Sequence, residues 1–143
     1  MKVAVAVSLV ALLCVTRLEA AAPRLLMVYG ASLQKPVLLS DWGEIFKMFT
    51  STTAETDVNL NHRPFFELAL FWGPDWNAYV NDGKPLDMLL PEDANQKGRF
   101  YPAFGDNPAV ISAGATLKRI PPESVRFLER YGIPARLLVT SGQ

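Results

Sequence analysis

The single cysteine of this 143-residue chain, Cys14, lies inside an N-terminal apolar run, and that placement limits what the remainder can be built from. Lys2 gives a positive start, residues 3–15 are interrupted only by Ser8, and small alanines follow at 20–22. This is the pattern of a signal peptide, here residues 1–20 with cleavage within two residues of that boundary. The run holds about thirteen residues, short of the roughly twenty that span hydrocarbon as a helix. Arg17 and Glu19 close it. No permanent membrane anchor is therefore expected after leader removal, and the chain is expected to be exported, periplasmic or secreted.

What remains, residues 21–143, contains no thiol. A disulfide framework, a cysteine nucleophile and a thiolate metal site are all unavailable to it, so the fold must stand on packing. With 50% hydrophobic residues, including eight Phe, four Tyr and three Trp, the chain has the material for a core. Its length suits one globular domain. The 14 basic and 14 acidic residues are interleaved, and without the leader the formal charge is about −1. No cluster of Lys and Arg stands free of carboxylates, so no nucleic-acid partner is expected.

Leu25 to Tyr29 is a short apolar run ended by Gly30, which suits a buried strand. Val37 to Leu39 extends after Pro36. Ser40 is placed to cap a helix whose Trp42, Ile45, Phe46 and Phe49 fall at i, i+3, i+4 and i+7, which predicts a core-facing amphipathic helix. Residues 50–57 are polar and read as a loop.

Residues 65–72 alternate, with Phe66, Leu68, Leu70 and Trp72 on one side and Phe65, Glu67, Ala69 and Phe71 on the other. Both sides are largely apolar, which predicts a central strand that must accommodate one charge. Pro74 then starts a short helix through Trp76, Tyr79 and Val80, ended near Asp82-Gly83. A helical turn is expected over 86–90, and a loop or short helix over 91–98.

Residues 99–104 and 109–112 flank Gly105-Asp106-Asn107-Pro108 and predict an antiparallel hairpin. Residues 116–120 add a strand. Pro121-Pro122-Glu123 opens a helix with Val125, Leu128 and Tyr131 on one stripe and Phe127 beside it, stopped by Gly132. Residues 133–139 read as a last strand, with Pro134 confining its start to an edge. Contiguous as well as alternating strands predict an α+β domain: a mixed or mainly antiparallel sheet with about three helices packed on it.

Few residues suit catalysis. His62 is the lone histidine, a candidate acid or base because its unperturbed pKa lies near 6.5. The inventory supplies no second histidine for a catalytic zinc, and no cofactor or metal is expected. Glu67 and Asp75 flank Phe71-Trp72 and would form a glycosidase-like pair if held about 5 to 9 Å apart. Glu67 would equally serve in a structural ion pair with Arg63 or another cation.

The richest feature is the aromatic run ending in Trp72, Trp76 and Tyr79, interleaved with Asp75 and Asn77. Ring faces supply contact area and the polar groups supply orientation, which suits a sugar or another flat ligand. Arg99, beside Tyr101 and near Asp106-Asn107, makes a second polar patch able to receive an anionic group.

The leading expectation is a small exported, non-enzymatic domain that binds a small molecule or a protein partner near residues 72–79. Two alternatives stand beside it. One is an exported hydrolase-like enzyme using His62 or the Glu67/Asp75 carboxylates; the other is an envelope-assembly module pairing through a sheet edge.

Overall fold

The computed structural model describes residues 24–50, 53–54, 59–113 and 116–137, and the expected signal peptide with its expected cleavage site, and Cys14, lie outside these residues. The elements in chain order begin with β1 (Leu25–Tyr29), β2 (Val37–Leu39), α1 (Trp42–Thr50), β3 (Thr53–Ala54), β4 (Phe66–Phe71) and α2 (Gly73–Asn81). Two single 3-10 turns follow, Leu86–Met88 and Pro91–Asp93. The chain then runs through β5 (Gln96–Tyr101), β6 (Ala103–Phe104), β7 (Val110–Ala113), β8 (Thr116–Arg119), α3 (Pro122–Arg130) and β9 (Arg136–Leu137).

The fold is α+β. Seven strands form one sheet in the order β2-β1-β4-β5-β7-β8-β3, and every pairing in it is antiparallel. A separate two-stranded sheet pairs β6 with β9 in parallel.

As the alternation predicts, β4 is an interior strand with both faces apolar. Phe66, Leu68 and Leu70 enter the larger core cluster, while Ala69 and Phe71 enter a smaller one on the opposite face. The larger cluster joins β1, β4, β5 and β7 to α1 and α3 through Leu26, Val28, Ile45, Met48, Phe100, Ile111, Phe127 and Leu128. The smaller one sets Leu25, Met27, Ala69 and Phe71 against Leu89 of the segment after α2, with Trp76 and Tyr79 packed beside them.

The face of α1 differs from the expected stripe. Ile45 and Met48 are fully buried, whereas Trp42 and Phe46 are 43% and 44% exposed and meet edge to face at 6.0 Å. At about 100° per residue, Met48 and Ile45 centre the buried arc and Phe46 falls well over 90° from it. Spacing alone could not choose between the overlapping stripes. The cap also lies one residue later than expected: the Asp41 carboxylate, not Ser40, accepts the Glu44 N–H at 3.3 Å.

α3 follows its pattern except at Tyr131, which is 47% exposed and edge-on to Phe127 at 5.2 Å. Gly132 stops the helix at φ +80°. Its N–H bonds the Glu129 carbonyl, and the Ile133 N–H reaches back to Leu128 at 3.1 Å. This is a Schellman closure, with Ile133 packing into the same core as Leu128.

β5 starts at Gln96, inside the segment expected to be loop, because its polar first residues are recruited by backbone pairing to Ala69 and Leu70 rather than by burial. It ends at Tyr101 because Pro102 lacks an N–H to continue the ladder. The expected hairpin partner is correct: Arg99 lies opposite Ser112 and Phe100 opposite Ile111. Of the expected last strand, residues 133–135 are irregular and only Arg136–Leu137 pairs as a strand; residues from 138 onward lie outside the described residues.

Candidate functional site

Phe71 closes β4 on the face of the smaller cluster. Trp72 is extended, and Gly73, buried at φ +80°, turns the chain into α2 through a conformation that costs glycine little. Pro74 follows within the first helical turn. The helix lays Trp76 and Tyr79 next to Phe71: the Phe71 and Trp76 rings are tilted at 6.0 Å, and Trp76 and Tyr79 are stacked at 5.6 Å with 13° between planes.

The end of α2 repeats the closure of α3. The Gly83 N–H bonds the Val80 carbonyl at 3.0 Å, the Lys84 N–H reaches Tyr79 at 3.4 Å, and Gly83 has φ +66°. In such a motif the residue after the glycine packs against the residue five before it. Here those residues are Lys84 and Tyr79, and the Lys84 ammonium lies 5.5 Å from the Tyr79 ring centroid. The Tyr79 hydroxyl donates to the Pro85 carbonyl, which fixes the ring.

The chain returns through its two 3-10 turns to Asn95. The Asn95 N–H bonds the Leu70 carbonyl, and its side-chain oxygen accepts the Trp72 N–H, both at 2.9 Å. Between α2 and this returning segment lies a cleft of about 320 Å³. Phe71, Trp76, Tyr79 and Leu89 form its apolar walls, and Asp75, Lys84, Asp93 and Asn95 supply its polar groups.

Three of the anticipated binding residues, Asp75, Trp76 and Tyr79, therefore share one cleft. The other three lie elsewhere. Trp72 packs against the larger core on the opposite face of the sheet, and Asn77 is exposed on α2 without lining the cleft. Arg99 belongs to a separate, shallower depression of about 360 Å³ with Glu67, Lys97, Tyr101 and Ser112. Asp106 and Asn107 do not line it.

Lys84, Leu89, Asp93 and Asn95 were not anticipated as site residues. Gly83 was the available signal for Lys84, since a glycine stop places the next residue over the last turn.

Glu67, Arg99 and Ser112 of the second depression continue from Tyr29 as one cross-strand row over β1, β4, β5 and β7. Glu67 pairs with Arg99 at 3.6 Å, the structural ion pair expected of it with a different arginine from Arg63. With both side chains partly exposed, solvent screens this contact and it contributes little to stability. The Arg99 guanidinium also lies 4.3 Å from the Phe65 ring centroid.

Tyr29 has its phenol pushed above the ordinary value of 10.0, first by burial and then by the carboxylates of Glu67 and Glu92. The folded state thus holds the neutral phenol more tightly, and its stabilisation is present below pH 10 and lost as the pH rises through the raised value. Denaturation midpoints should fall more steeply above pH 10 in the wild type than in Tyr29→Phe; superimposable profiles would refute the assignment.

Glu67 and Asp75 are not brought together. Glu67 stands four residues before Phe71 on the same strand face, about 13 Å away, and the two carboxylates line different clefts. His62 occupies an exposed turn at φ +63° and lines neither. Among the described residues no group of three or more His, Cys, Asp or Glu side chains is placed to hold a metal ion, and no helix is long and apolar enough to cross a membrane.

A further depression, about 530 Å³, lies over α1 and α3. Its three glutamates face three arginines, with Glu129 and Arg136 paired at 3.1 Å. Compensated charges and the lack of ring or aliphatic walls make it a solvated helix surface rather than a built site. No protein-family profile matches the chain, and comparison with curated proteins and with solved structures finds no significant similarity.

Proposed function

We propose that this chain is a small exported, non-enzymatic domain that binds a compact small molecule in the cleft between α2 and the segment 84–95. The observation that carries the proposal is the Phe71–Trp76–Tyr79 ring series, whose half-buried Trp76 and Tyr79 line a cleft rimmed by Asp75, Lys84, Asp93 and Asn95. Apolar walls with a few convergent polar groups are the usual composition of a ligand site. A volume of about 320 Å³ is near the lower end of such sites, which limits the ligand to a few ring or methyl groups. Export rests on the character of the leader.

The non-catalytic character is supported by the dispersal of the candidate groups. A glycosidase needs its carboxylates across one bond, and Glu67 and Asp75 lie in different depressions.

The test is thermal shift of the purified chain against glucose, N-acetylglucosamine, indole and choline at millimolar concentration. At least one should raise the melting temperature of the wild type, and the shift should vanish in Trp76→Ala and Tyr79→Ala while each variant retains a cooperative melt. A shift that survives both substitutions would place binding elsewhere.

A further inference from the structure

We infer that the cleft selects an organic cation, a small ammonium compound carrying methyl or methylene groups; this rests on the binding function proposed above. The cleft holds two carboxylates, Asp75 and Asp93, against one ammonium, Lys84. Among the described residues neither carboxylate forms a salt bridge or a side-chain hydrogen bond. Their charge is thus available to whatever enters.

The rings point the same way. An aromatic face attracts a cation through its quadrupole, and the structure already places one there: the Lys84 ammonium over Tyr79. Lys84 is exposed and sits on a flexible stem, so an incoming ammonium group takes its place over the ring while the lysine swings into water. Lys84 is in this sense an internal occupant of the cation position. Phe71, Trp76 and Leu89 offer apolar contact to the methyl groups of the ligand.

The alternatives fit less well. Two carboxylates against a single ammonium leave the cleft net negative, which disfavours an anion. A neutral sugar needs a broad free ring face, yet Trp76 stacks one face on Tyr79 and Tyr79 already carries Lys84.

The deciding experiment is calorimetric titration of the purified chain at low salt with choline and with its uncharged carbon isostere, 3,3-dimethylbutan-1-ol, with glucose as a third ligand. Choline should bind at least about tenfold tighter than the isostere, as expected for a partly desolvated cation on aromatic faces. Lys84→Met should tighten choline about two- to fivefold by removing the competing ammonium. The double variant Asp75→Asn, Asp93→Asn should weaken choline and leave the isostere unchanged, provided its melt remains cooperative.

Equal affinity for choline and the isostere, or binding of glucose without choline, overturns cation selection and leaves the binding function standing. Binding of none of the three, together with no thermal shift from the wider panel, removes both. The ligand comparison on the wild type needs no variant and decides the matter even if the double variant does not fold.

Discussion

Replacing Arg63 by Met is expected to destabilise the fold by about 2–4 kcal/mol. Arg63 is only 8% exposed, and its Nη2 donates to the carbonyls of Pro102 and Pro108 at 2.7 and 3.1 Å. These carbonyls flank β6 and its turn, where prolines interrupt the ladder, and among the described residues no backbone N–H donates to them. The guanidinium also lies 5.9 Å from the Tyr101 ring centroid.

Two opposing terms set the size of the effect. Among the described residues Nε and Nη1 have no partner and no carboxylate compensates the charge; burial accordingly pushes the Arg63 pKa down. Relief of that desolvation favours Met. Against it, two charge-assisted bonds of about 1.5–3 kcal/mol each are lost and two carbonyls are left without donors, and this loss wins. Urea denaturation of the wild type and the variant measures the difference. An unchanged midpoint would show that the uncompensated charge cancels the two bonds.

The second large effect is expected at Phe100. Phe100→Ala should cost about 3–5 kcal/mol, a large share of the roughly 5–15 kcal/mol that holds a domain of this size. Phe100 is 1% exposed near the end of β5, opposite Phe66 and Ile111, and its ring stacks on Phe66 at 6.3 Å. Its removal opens a cavity where the sheet meets the helices, and interior strands cannot collapse into it without breaking their ladders. Phe46→Ala supplies the contrast: the same chemical deletion at a 44% exposed position should cost less than about 1 kcal/mol. Comparable losses at the two positions would contradict the assigned face of α1.

The Phe46 contrast shows where sequence patterns run out. In a strand, alternation leaves two faces, and residues 65–72 assigned themselves to both without ambiguity. In α1, four apolar residues and Met48 lie within an arc wide enough for two overlapping stripes, and only the position of the sheet beneath them selects Ile45 and Met48. β5 was half hidden for a related reason: Gln96 and Lys97 carry no apolar signal because backbone pairing to β4, not burial, extends the strand to them.

The candidate site divides in the same way. Trp76, Tyr79 and Asp75 are close in the chain, and a helical spacing of three already puts the two rings on one side. Trp72 looked like their neighbour, yet strand alternation sends it to the opposite face from Phe71. Asp93 and Asn95 join the cleft only because the 3-10 turns carry the chain back to Leu70, a meeting that no local pattern announces.

Local signals alone determined the chain's class, its interior aromatic strand, and the starts and stops set by Pro74, Pro122, Gly83 and Gly132, because each depends on a residue's own dihedral preference or on its immediate neighbours. The tertiary structure decided which helix face is buried, which arginine Glu67 meets, and which charges line the ring-walled cleft. These depend on distances between segments far apart in the chain, and such distances exist only after the sheet has formed.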